Sequence, residues 1–130
     1  MKRKIASHRE GRGQEWRTIE SPLNADQALA DVKQNEVVLL DCATMWLSNH
    51  LLSDSDIDRE TTALLTAIAA CQGRVVTVSN EVGMGIVPEN ALARRFRDAQ
   101  GKLNQKLANS ADLAVLVVAG LPLVLKGTLP

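Results

Sequence analysis

The chain has 130 residues, a length that favours one domain with a core able to bury most of its apolar surface. Fifteen basic and fifteen acidic residues cancel, and two tryptophans and one phenylalanine are the whole aromatic complement, so the basic, aromatic character of a nucleic-acid binder is missing. No apolar run approaches the length of a membrane span, and the basic start lacks the apolar block of a signal peptide, which makes a cytoplasmic protein the expectation.

Residues 1–20 carry almost no apolar periodicity and read as the end of a helix followed by an ordered loop, or as a floppy terminus where nothing holds them. Ser21-Pro22 opens a short helix over about residues 24–34, with Ala28, Leu29 and Val32 on one face. Val37 to Cys42 is an unbroken apolar run that includes Asp41, the pattern of a parallel strand buried on both faces. Met45 to Leu52 reads as a short helix or irregular segment, and Ser53-Asp54-Ser55-Asp56 as an exposed turn. From Asp58 to Gln72, Leu64, Leu65, Ile68 and Cys71 recur at helical spacing, and Gly73 supplies the stop. Val75 to Val78 is the next strand, Asn90 to Asn109 the next helix, Ala114 to Val118 a further strand and Leu121 to Lys126 an edge strand. Alternation at these lengths predicts one α/β domain, residues 1–130, with a mostly parallel sheet flanked by helices. Val37 to Cys42, Val75 to Val78 and Ala114 to Val118 are expected as neighbouring buried strands.

Cys42 and Cys71 sit among apolar or small residues without metal-ligand spacing, so they read as buried, reduced thiols. The basic residues crowd the start, at Lys2, Arg3, Lys4, Arg9, Arg12 and Arg17, and suit either a solvated tail or an anion site.

The segment from Asn80 to Asn90, Asn-Glu-Val-Gly-Met-Gly-Ile-Val-Pro-Glu-Asn, follows a strand pattern and leads into a helix pattern. Open α/β sheets place their ligands at such carboxyl ends. Asn80, Glu81 and Glu89 are therefore candidates for positioning a substrate or metal, with Gly83 and Gly85 freeing the backbone; the plain alternative is a rigid connection whose polar groups satisfy one another. Asp41, at its own strand end, is a candidate for engaging magnesium or its water shell, or else a helix cap. Arg94, Arg95, Arg97 and Asp98 read as an exposed helix face, and Asn104 and Gln105 as interface or packing residues.

Together with Leu92-Ala93-Arg94-Arg95-Phe96-Arg97-Asp98, Gly101 and Asn104-Gln105, that eleven-residue segment strongly resembles the bifunctional adenosylcobinamide kinase / adenosylcobinamide-phosphate guanylyltransferase family of cobalamin biosynthesis. A second segment, His8-Arg9-Glu10-Gly11-Arg12 followed by Trp16-Arg17-Thr18 and Glu20, is similar to the family's stretch around the histidine that carries GMP. The resemblance runs from about Arg3 to Gly127. It implies that adenosylcobinamide is phosphorylated by GTP or ATP and that the product accepts GMP from GTP through a guanylylated histidine, giving adenosylcobinamide-GDP. His8 would be that nucleophile. Taken alone, a histidine near a basic terminus reads as an exposed bystander. A neutral imidazole is nevertheless available at pH 7, since histidine titrates near a pKa of about 6.5. Arg9, Glu10, Gly11, Arg12, Glu20 and Asp41 would bind nucleotide, Arg17 would add a phosphate contact, and Glu20 would read the guanine edge or serve only as a surface acid. Magnesium is the implied metal and a homo-oligomer the implied assembly.

One family feature is missing from the sequence. The strand and the Gly-x-x-x-x-Gly-Lys-Ser/Thr loop that precede the histidine segment have no counterpart, and Gly101-Lys102 is followed by Leu103 inside a helix pattern. The expectation is thus a phosphate-loop nucleotide-binding fold without its first strand and loop, as in a family member lacking its amino-terminal portion. Such a chain either needs that portion for activity or is a non-catalytic remnant or assembly subunit that keeps the fold.

Overall fold

The computed structural model describes residues 3–4, 16–81 and 90–130. Strand β1 (Arg3–Lys4) pairs antiparallel with β2 (Thr18–Ile19), and β1 lies beside β3 (Val37–Asp41). The helix end expected before residue 20 is thus replaced, in its described parts, by a strand pair. Helix α1 (Ala25–Ala30) is shorter than its sequence pattern and buries Ala25 and Leu29, four residues apart on one face.

In β3 the alternate residues Val38 and Leu40 are buried, while Leu39 is half-buried and Val37 exposed. Strand β4 (Arg74–Val78) runs parallel to β3 in the register Val37↔Arg74 to Asp41↔Val78. A parallel pair requires a long crossover, and here two helices supply it, α2 (Ala43–Leu52) and α3 (Ile57–Ala70). Asp56 caps α3 by accepting from the Arg59 amide at 3.2 Å. The core gathers where these helices meet the pair: Leu29, Val32, Leu40, Trp46, Leu47, Leu51 and Leu64, closed by Leu103 of α4 (Ala91–Ser110). His50 is built into this core. Its Nε2 donates to the Leu23 carbonyl at 3.2 Å, which leaves Nδ1 to accept from the Ser55 hydroxyl at 2.8 Å.

The last elements depart from the expected sheet. Strand β5 (Ala114–Val118) forms an antiparallel hairpin with β6 (Leu121–Lys126), so Ala114 to Val118 is not a buried neighbour of β4. The described sheets are mixed, one parallel and two antiparallel pairs, rather than mostly parallel. The two-residue turn accounts for the antiparallel pair. Ala119 and Gly120 both have positive φ, 52° and 75°, as the primed hairpin turns demand, and such a turn brings β6 straight back onto β5. Lys126 anchors the hairpin by donating to the carbonyls of Ala108 and Asn109 at 3.2 and 2.8 Å, at the negative end of α4. Cys42 and Cys71 are free, but both are half-buried rather than buried. Among the described residues no helix is long and apolar enough to cross a membrane.

Candidate functional site

Because β3 and β4 are parallel and in register, their carboxyl ends open on one edge. Asp41 closes β3 opposite Val78, and Ser79, Asn80 and Glu81 continue past the end of β4, so Asp41 and the start of the Asn80 segment share that edge as expected. Asp41 is half-buried, whereas Asn80 and Glu81 are exposed.

Asn80 is held from both sides. Its amide donates to Thr44 Oγ1 at 2.8 Å, which laces the first turn of α2, three residues after Asp41, to the end of β4. Its carbonyl accepts from Asn104 Nδ2 at 3.0 Å. That bond orients the Asn104 amide and turns its Oδ1 toward the Ser79 hydroxyl at 2.5 Å and Gln100 Nε2 at 2.9 Å. Gln100 Nε2 also reaches Ser79 Oγ at 2.9 Å. Gln100 is fully buried, and its Oε1 finds no donor among the described residues. An orphaned buried acceptor costs about 1–3 kcal/mol. At the far side of the segment, Asn90 caps α4 by accepting from the amides of Leu92 and Ala93 at 2.8 and 3.3 Å.

Ser79, Thr44 and Gln100 carry this arrangement without being among the sequence candidates, and Asn104, expected as an interface or packing residue, joins them. A signal existed for Gln100. It stands on one helix face with Phe96, Leu103 and Leu107, which pack in or against the core, so it is a polar residue at an apolar position.

The other candidates are placed unevenly. Glu20 is exposed, one residue past β2, and belongs to the amino-terminal strand pair rather than to the two strands that end at Asp41. Arg17 pairs with Glu36 at 3.6 Å, just before β3 begins, and so sits at the opposite end of that strand from Asp41. His8, Arg9, Glu10, Gly11, Arg12 and Glu89 lie outside the described residues. Among the described residues no three histidine, cysteine or acidic side chains converge as a metal cage. A groove of about 480 Å³ between α3 and α4, lined by Ile57, Thr61, Arg94, Arg95, Lys102 and Lys106 among others, contains none of the catalytic or binding candidates.

Comparison with known proteins bears on the whole chain. Residues 1–125 match the model of the family described as cobinamide kinase / cobinamide phosphate guanyltransferase. The chain is 42% identical over 142 residues to the bifunctional adenosylcobalamin biosynthesis protein CobU of Escherichia coli K12, covering 97% of this chain and 78% of that protein. It is 42% identical over 130 residues to the bifunctional adenosylcobalamin biosynthesis protein CobP of Pseudomonas aeruginosa, covering 98% and 75%. It is 39% identical over 142 residues to CobU of Salmonella typhimurium, covering 97% and 78%. With a family match across nearly its full length, and with the edge that carries Asp41 and Asn80–Glu81 inside the matched region, the chain belongs to the cobinamide kinase / cobinamide phosphate guanyltransferase family of transferases.

Proposed function

We propose that this protein acts in cobalamin biosynthesis, phosphorylating adenosylcobinamide and then transferring GMP from GTP to adenosylcobinamide phosphate through a guanylylated His8. The observation that carries the reading is the shared strand edge: a half-buried carboxylate at Asp41, with Asn80 held at the end of the neighbouring strand and Glu81 following it, in a chain matched by the family over residues 1–125. In the transfer, the neutral imidazole of His8 attacks the α-phosphorus of GTP and pyrophosphate leaves with the electron pair of the broken P–O bond. A phosphate oxygen of adenosylcobinamide phosphate then attacks the same phosphorus, the P–N bond breaks and His8 is regenerated. Arg9 and Arg12 would neutralise the transferring phosphate, Glu10 and Gly11 would shape the nucleotide site and Glu20 would accept from the guanine edge.

Magnesium fits the edge. The ion binds through one or two carboxylates, with waters and substrate phosphates filling the remaining positions, and Asp41 offers one such carboxylate. Bound there it would neutralise phosphate charge; Glu81 and Glu89 would orient substrate or the ion's waters. The phosphate-loop type of fold, a cytoplasmic location and a homo-oligomer are part of the same reading, the last supported by the apolar β5–β6 hairpin. The test is incubation of the protein expressed from its complete reading frame with adenosylcobinamide, GTP or ATP, and magnesium, with products resolved by mass spectrometry. Adenosylcobinamide phosphate followed by adenosylcobinamide-GDP is the expected result. Neither product, from a folded protein with either nucleotide, would overturn it and leave a family fold without turnover.

A further inference from the structure

The polar chain from α4 to the end of β4 is unusual for a core. Gln100 takes an apolar position on α4 and is fully buried, and its Oε1 finds no donor among the described residues. A buried polar side chain at an apolar position calls for an explanation, and functional sites are where such groups are kept at a cost in stability. Its bonds all lead one way: Gln100 to Ser79 and Asn104, Ser79 to Asn104, and Asn104 to the Asn80 carbonyl.

We infer that Gln100 and Asn104 are positioning residues, fixing the direction in which Asn80 and Glu81 leave the sheet edge beside Asp41. The inference rests on the proposed role of that edge in phosphoryl and guanylyl transfer. With Asn104 in place, Asn80 is pinned at its carbonyl from α4 and at its amide from Thr44 of α2, so it cannot pivot about a single bond. Gln100 holds the Asn104 amide in the rotamer that presents Nδ2 to Asn80, because its own NH₂ occupies the Oδ1 side. Neither residue needs to touch substrate.

Two variants separate positioning from bulk stability. Gln100→Met keeps the length and removes both the NH₂ donor and the orphaned acceptor; Asn104→Asp keeps the acceptor for Ser79 and Gln100 and loses the donor to Asn80. The readouts are thermal unfolding, hydrogen exchange at the Asn80 amide, and kcat and KM for adenosylcobinamide phosphorylation by the protein expressed from its complete reading frame. Gln100→Met is expected to unfold as the parent does, to exchange the Asn80 amide about tenfold faster, and to lose about tenfold in kcat with KM little changed. Asn104→Asp should lose at least as much kcat, since its lost bond is the one that reaches Asn80. Unchanged exchange and kcat in Gln100→Met would overturn the inference, as would an activity loss that merely tracks lost stability. Asn80→Ala and Glu81→Gln are the control for the underlying reading. If they cripple turnover while Gln100→Met does not, the positioning role alone fails; if both are fully active, the proposed role of the edge fails and the inference with it.

Discussion

Asp41 and Asn80 meet because each ends a strand of one parallel pair, and each answers to a different force. Asp41 contributes charge at a half-buried position, whereas the Asn80 backbone contributes geometry through the Thr44 and Asn104 bonds. Replacing Asp41 with Asn keeps the shape and removes the charge, so kinase turnover is expected to fall by about a hundredfold while the unfolding midpoint barely moves. Steady-state kinetics across a magnesium series check this, and an unchanged magnesium dependence would remove Asp41 from the metal's surroundings. At this scale the sequence was informative where a residue type sits at a strand end, as for Asp41, Asn80 and Glu81. It was silent where a bond joins residues far apart in the chain. Gln100 and Ser79 bond across 21 positions of chain, and nothing in local spacing announces that pairing.

Elements show the same divide between local and long-range information. The helices read well because their periodicity and caps are local: Asp56 and Asn90 stop the chain from continuing upstream, and the buried positions repeat at helical spacing. Strand partners are not local. Ala114 to Val118 is apolar throughout, and that pattern suits a buried parallel strand and an exposed hairpin arm equally. The deciding feature was the turn, which uses Ala119 where Asn or Gly is the familiar signal. Ala119 at φ 52° carries a Cβ in the left-handed region, so Ala119→Gly, which removes it, is expected to stabilise the protein by about 1 kcal/mol in urea unfolding. A lower midpoint would contradict the hairpin turn described here. Gly73, before β4, has a different constraint. A Cβ there would press on the carbonyls of Glu36 and Lys33 and on the Val32 side chain, at the place where the Arg74 amide donates to Glu36 O at 3.1 Å. Gly73→Ala is therefore expected to cost about 1–3 kcal/mol, measured the same way.

For the molecule as a whole, the core and the apolar surface lie in different places. Helices α1 to α4 close over one face of the β3–β4 pair, while the β5–β6 hairpin leaves Leu121 69%, Val117 65% and Leu125 63% exposed. On the proposed reading this apolar surface is the contact between copies of the chain. A homo-oligomer is expected in sedimentation velocity, and Leu121→Glu with Leu125→Glu should shift it toward the monomer; a monomeric parent would contradict that assembly. The α/β character was legible from the alternation of patterns along the chain, and the family from the Asn80–Asn90 segment. The split into one parallel and two antiparallel pairs was not, because it depends on which edges meet. Covalent labelling tests the role of His8 most directly. The protein expressed from its complete reading frame is incubated with magnesium and GTP labelled at the α-phosphate, then denatured and treated with acid or base. One label is expected that survives base, is lost in acid as a phosphoramidate must be, and is absent from His8→Ala. Labelling that persists in His8→Ala, or an attachment that base removes, would place the nucleophile elsewhere and contradict the mechanism.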